Sequence, residues 1–212
     1  MKRFITLFLT IGLLIGTISQ VQAASITTTF TSNNGQSGNM FNITTFGNTL
    51  TVNSMELNLD SETTNSISVY TRNGTFMGFE NNASAWTLVS HTSGVTSAGV
   101  NIPTFMDVTD FSLLANSVTG IYVTTGGPTN INYTNGNNTF ANADLQLNLG
   151  VGNADLFGTV FDPRTWNGTI NYTVQNGSPV GAVPEPGTIS LMGSGLVGLA
   201  LWRTRKRTEI KK

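Results

Sequence analysis

Leu145-Gln146-Leu147-Asn148-Leu149 alternates apolar and polar residues one for one, and Met55-Glu56-Leu57-Asn58-Leu59 does the same. A period of two places successive side chains on opposite faces of an extended chain, so each run reads as a strand with one buried and one wet face. Thr169-Ile170-Asn171-Tyr172-Thr173-Val174 repeats the pattern, and Ile67-Ser68-Val69-Tyr70 follows it in part. Outward from these runs, no apolar period of helical length is sustained between Ala24 and Asn176, so no amphipathic helix is expected there. Turn dipeptides punctuate the runs: Asn34-Gly35, Asn73-Gly74, Gly126-Gly127, Asn135-Gly136, Asn167-Gly168 and Asn176-Gly177. Asn-Gly suits the two-residue hairpin turn because both central residues need positive φ. These features predict an all-β domain over residues 24–175, an antiparallel β-sandwich of jelly-roll type, rather than alternating strands and helices. About ten strands are expected, centred near residues 28, 43, 53, 57, 69, 88, 105, 122, 146 and 171. Ten Phe, Trp86, Trp166 and four Tyr in this stretch supply a core, and a domain of about 150 residues needs no staple to bury it.

The chain has 212 residues and no cysteine. That excludes a disulfide framework, a Cys-based metal site and a thiol nucleophile. Charged residues make up 10% of the chain, against about 25% in ordinary soluble proteins. From Ala24 to Ala182 the only bases are Arg72 and Arg164, set against nine acids, a net charge of −7. No nucleic-acid partner fits so acidic a middle. The remaining bases belong to the two ends.

Residues 1–23 combine Lys2 and Arg3, an apolar run from Phe4 to Ile18, and Val21-Gln22-Ala23. This is the layout of a secretory signal peptide, an N-terminal signal helix with cleavage after Ala23. At the other end, residues 176–182 read as a linker, followed by Val183-Pro184-Glu185-Pro186-Gly187-Thr188. Residues 189–202 carry no charge, and residues 203–207 contain Arg203, Arg205, Lys206 and Arg207. Fourteen apolar residues span about 21 Å as a helix, short for a hydrocarbon core of about 30 Å, with snorkelling Arg203 and Arg205 recovering part of the difference. The basic cluster then stops transfer and stays cytoplasmic, with the middle of the chain outside. On these grounds the segment reads as a marginal C-terminal transmembrane helix, with a short buried helix as the competing reading.

The segment 183–207 resembles the PEP-CTERM sorting signal, which has the same order of Pro-Glu-Pro motif, short Gly- and Leu-rich membrane stretch and Arg-rich tail. The resemblance implies a Gram-negative bacterial protein that leaves through the secretion machinery and is held transiently in the inner membrane. An exosortase, a membrane protease and transpeptidase, would process it, with Pro184, Glu185 and Pro186 as recognition elements. It further implies a cell-surface or extracellular-matrix protein associated with exopolysaccharide and biofilm. Thr208 to Lys212 extend beyond the basic cluster. The resemblance covers the tail alone and leaves the cargo's role open.

No catalytic set stands out in the β-domain. His91, the single histidine, sits in a His-Thr-Ser-Gly stretch that reads as a loop, and no Gly-x-Ser-x-Gly elbow is present. Nine carboxylates are available for a glycosidase pair, but nothing in the sequence pairs them. Oxygen ligands at Asp60 and Glu62, and at Asp107 and Asp110, fall in expected loops and are the residues that could hold calcium. Trp86 opens an apolar run and is expected in the core. Trp166, next to a turn, is expected to be partly exposed and is the candidate carbohydrate contact. Arg72 and Arg164 are expected to anchor the structure by pairing acids. The surface is rich in Asn and Thr, which suits weak hydrogen bonding to hydrated extracellular polysaccharide. The sequence therefore favours a non-catalytic structural or adhesive matrix component without a cofactor, with a specific lectin-like carbohydrate-binding module as the alternative.

Overall fold

The computed structural model describes residues 22–60, 64–136 and 138–175. Thirteen strands follow in chain order: β1 (Gln22–Thr27), β2 (Asn34–Gln36), β3 (Gly38–Thr45), β4 (Thr49–Leu57), β5 (Thr64–Asn73), β6 (Thr87–Thr96), β7 (Thr104–Leu113), β8 (Val118–Thr124), β9 (Ile131–Asn135), β10 (Phe140–Ala141), β11 (Leu145–Asn153), β12 (Val160–Trp166) and β13 (Gly168–Gln175). One 3₁₀ turn, Ala83–Ala85, is the only helical element among the described residues. The strands form two antiparallel sheets, one ordered β1-β13-β4-β7 and a larger one ordered β2-β9-β12-β11-β3-β8-β5-β6, with β10 added on β11. The all-β, sandwich-like prediction is met.

The alternating runs do what their period requires. In β4 the residues Leu50, Val52, Met55 and Leu57 are all buried, and Ile170, Tyr172 and Val174 of β13 join them. They meet Phe41 and Ile43 of β3, Ile67 and Val69 of β5, Ile121 and Val123 of β8, and Leu145 and Leu147 of β11 in one continuous core between the sheets. Removing any of these large side chains would cost about 2–5 kcal/mol through lost transfer energy and the cavity left behind.

The larger sheet is buried on its other face too. Met40, Tyr122 and Val151 project away from the main core and pack with Phe76 and Trp86, flanked by Tyr70, Phe157 and Val160. Tyr122 is the hub. Its ring meets Phe157 edge-on at 5.0 Å and Trp86 at 6.0 Å, and stacks on Tyr70 at 5.9 Å. Its hydroxyl donates to the Asp155 carbonyl at 3.3 Å, tying the 154–159 loop to the sheet. Burial pushes that hydroxyl above its ordinary pKa. Trp86 has the core position expected of it, with Nε1 donating to the Phe79 carbonyl at 2.9 Å.

Several expectations shift in detail. The separate centres near 53 and 57 belong to a single strand, β4, and the segments β2, β9, β10 and β12 were not expected. These are short or carry a proline, as β12 does at Pro163, so period and propensity are weak in them. Asn167-Gly168 is not a hairpin turn, because β12 and β13 lie in different sheets and the chain crosses between them there. Gly168 is required at that crossing, since a Cβ would run into the Trp166 ring and the Glu56 carbonyl oxygen. Of the expected signal peptide at 1–23, residues 1–21 lie outside the described residues, as do the linker, the Pro-Glu-Pro motif and the expected transmembrane helix, while Gln22 and Ala23 open β1. Among the described residues, no helix is long and apolar enough to cross a membrane.

Candidate functional site

An open groove of about 520 Å³ lies on the outer face of the larger sheet. Its base is set by two paired strands. Asn42 of β3 and Asn148 of β11 are register partners, so their side chains stand next to each other on one face. Asn42 Nδ2 donates to Thr75 Oγ1 at 2.8 Å while its Oδ1 accepts the Phe76 N–H at 2.9 Å, which pins the segment carrying Phe76 and Met77 beside the sheet. Asn148 Nδ2 donates to Thr44 Oγ1 at 3.1 Å, and its Oδ1 accepts from Gln146 Nε2.

A bulge shapes the floor. The register of β11 against β3 slips between Asn148 and Val151, and Gly150 sits in the slip with its Cα pressed under the Met40 carbonyl oxygen. Only glycine fits so close to another strand's backbone. Phe76 and Val151 give the groove an apolar base, and Glu80, Thr139 and Asp162 stand along its walls with exposed Met77 at the rim. Glu80 is half-buried and Asp162 exposed. Such a surface accepts hydrogen bonds from hydroxyl or ammonium groups, offers apolar contact to a ring face, and repels anions. A groove of this size suits a ligand of a few rings.

The residues singled out in the sequence fare differently. Trp166 is corrected: it is 3% exposed and lies in the core, stacked on Phe41 at 4.8 Å. Its neighbour Asn167 is also buried, because the chain turns inward to cross between the sheets instead of turning at the surface. The cavity beside Trp166 is about 10 Å³, room for one water and not for a sugar ring. His91 is exposed as expected but lies in β6, not in a loop, with Nδ1 3.0 Å from Ser68 Oγ. No carboxylate orients its ring among the described residues, so the pair is not a triad.

Asp107 and Asp110 are exposed positions of strand β7, where loops were expected. Asp60 Oδ2 accepts the Asn130 N–H at 3.3 Å, and Glu62 lies outside the described residues. Among the described residues, no group of three or more His, Cys, Asp or Glu is placed to hold a metal ion. Arg72 and Arg164 lie over rings: the Arg72 guanidinium is 3.6 Å from the centre of Phe79, and that of Arg164 is 5.6 Å from Tyr133. Both anchor structure through aromatic faces where carboxylates were expected.

None of the groove residues Asn42, Glu80, Asn148, Gly150 and Asp162 is marked as a site residue by its sequence. Asn42 and Asn148 occupy polar positions of strands, where nothing local separates a site residue from ordinary solvated surface.

Comparison with known families bears on the tail. The family model of the PEP-CTERM protein-sorting motif matches residues 182–206, one residue offset from the segment delimited by its composition. No curated protein matches the chain. The chain therefore carries the PEP-CTERM sorting motif, which marks an exported protein sorted by an exosortase to the cell envelope or surface.

Proposed function

We propose that this PEP-CTERM-bearing chain is a non-catalytic adhesive component of the extracellular matrix, which holds neutral, hydroxyl-rich polysaccharide in the groove over β3 and β11. The sorting motif at 182–206 supports reading the domain as exported to the envelope or surface, and the groove is the observation that carries the binding reading. Its walls pair amides and carboxylates with an apolar base, the combination that recognises a sugar's hydroxyls and its apolar ring face. The net charge of −7 over the middle of the chain argues against polyanions as direct ligands. No cofactor and no bond-breaking step enter this reading. Transient anchoring by residues 189–202 in the inner membrane precedes release, and the basic cluster holds the orientation.

The strand order supports reading the framework as a jelly roll. Setting aside β2 and β9–β12, the eight remaining strands in chain order fall as first-eighth-third-sixth in one sheet and second-seventh-fourth-fifth in the other. That is the order of two interlocked Greek keys. On this reading β9–β12 are an insertion that widens one sheet on the β3 side, and β11 brings half of the groove with it.

Two experiments test the proposal. Deletion of Pro184 to Pro186 should leave the protein in the membrane fraction of a fractionated culture; normal release would sink the sorting reading. The purified full chain should be retarded in gels containing neutral polysaccharide, and Glu80→Gln with Asp162→Asn should weaken that retention about tenfold or more. Each change replaces a charged acceptor, whose hydrogen bond contributes about 1.5–3 kcal/mol, by a neutral one at about 0.5–1.5 kcal/mol. Unchanged retention would move the contact elsewhere. Saturable binding to one glycan, lost in the double variant, would select the lectin-like alternative over broad adhesion.

A further inference from the structure

We propose that the end of the sandwich from which both terminal segments depart is a lipid-contacting pole, and that Phe46, Leu114 and Val118 rest in the membrane interface while the chain is anchored. The inference builds on the anchoring described above and adds a surface to it. Strand β1 begins at Gln22 opposite Val174 of the last strand, so the chain enters the domain and leaves it side by side. Gln175 in turn stands opposite Thr49, and Leu50 opposite Leu113, so the turns after β3 and after β7 share this end.

Those turns are laced together. The Asn116 N–H donates to the Phe46 carbonyl at 2.8 Å, the Thr45 N–H to the Ser117 carbonyl at 2.9 Å, and the Phe46 N–H to the Asp144 carbonyl at 2.9 Å. Held in them are three exposed apolar residues, Phe46 at 37%, Leu114 at 63% and Val118 at 38% exposure. Their loop neighbours are Gly47, Asn48, Ala115, Asn116 and Ser117, all uncharged. Asp144 borders these turns through its backbone, and its Oδ2 is engaged by the Tyr172 hydroxyl at 3.0 Å. Asp60 and Asp155 sit toward the opposite end, past the far ends of β4 and β11. A domain this acidic is repelled by anionic lipid. It can approach a bilayer most cheaply with an uncharged apolar end, and a tether at that end supplies the high local concentration that three side chains alone could not.

The opposite pole provides a control, because Val100, Ile102 and Phe105 are also exposed there. The chain has no native cysteine, so Leu114→Cys and Ile102→Cys each carry a single environment-sensitive fluorophore. The labelled full chains are reconstituted in phospholipid vesicles with and without lipid-borne nitroxide quenchers. Flotation reports anchoring, and fluorescence reports pole contact. The expected result is a blue shift at 114 and quenching about twofold or more stronger than at 102. Equal, solvent-like emission at both positions in chains that float overturns the lipid-contacting pole while sparing the anchor. A blue shift at 114 that nitroxides do not touch means protein covers this end, and also overturns it. Chains that fail to float overturn the anchor reading and this inference with it.

Discussion

Replacing Trp166 with alanine separates a core role from a ligand-contact role. The indole is 3% exposed and stacked on Phe41, so nearly all of its surface leaves water on folding. At about 25 cal/mol per Å² over roughly 200 Å², burial contributes about 5 kcal/mol as an upper estimate. Measured large-to-small core changes give about 3–5 kcal/mol for Trp→Ala. Domains of this kind have about 5–15 kcal/mol in total, so roughly a fifth or more of the stability should disappear. With a urea m-value of about 2 kcal/mol/M, the unfolding midpoint should fall by about 2 M. Trp166→Phe behaves differently. It keeps most of the stacking area and removes Nε1, a buried donor with no partner, whose desolvation costs about 1–3 kcal/mol. The net loss should stay below about 1.5 kcal/mol. An alanine variant with an unshifted midpoint but weakened polysaccharide retention would refute the core assignment.

Gly150→Ala drives a Cβ into the Met40 carbonyl oxygen, with the Arg164 carbonyl 3.2 Å away on the other side. Two backbones cannot yield as side chains do, so a loss of about 2–3 kcal/mol and a drop of about 4–10 °C in the melting temperature are expected; a neutral substitution would mean the bulge is looser than described. The Tyr172 hydroxyl accepts from Asn142 Nδ2 at 2.7 Å and donates to Asp144, and burial raises its pKa from 10.0 to about 12, the neighbouring Asp144 carboxylate adding to the rise. The unfolded tyrosine therefore loses its proton first, so this stabilisation is complete below pH 10 and fades as pH rises towards 12. Denaturant titrations across that window should slope downward in the native chain and less steeply in Tyr172→Phe; equal slopes would assign the alkaline loss to other tyrosines. Asn42→Ala releases the Phe76 N–H and Thr75. Faster proteolysis within residues 74–86 at a nearly unchanged global midpoint would confirm that Asn42 holds this segment, and unaltered cleavage would deny it.

Local pattern is enough to specify the strands whose one face had to be dry. Met55 to Leu59 and Thr169 to Val174 announce their buried side by period alone, because β geometry alternates faces whatever the neighbours are. It also delimited the sorting segment, since prolines, an uncharged run and an arginine cluster act as local physical signals that need no tertiary partner. Features that depend on partners distant in sequence emerge only once the sheets are assembled. Trp166 looked exposed beside Asn167-Gly168, yet the chain crosses between sheets there and carries the indole onto Phe41. Asn42 and Asn148 became a groove base because a register placed them together and a bulge at Gly150 lowered the floor between strands. Gln22 and Val174, more than 150 positions apart, became neighbours because the first and last strands pair. Period is a property of consecutive residues and can be read one strand at a time. Register and sheet crossing are set by which strands meet, and no single stretch of this chain contains that information.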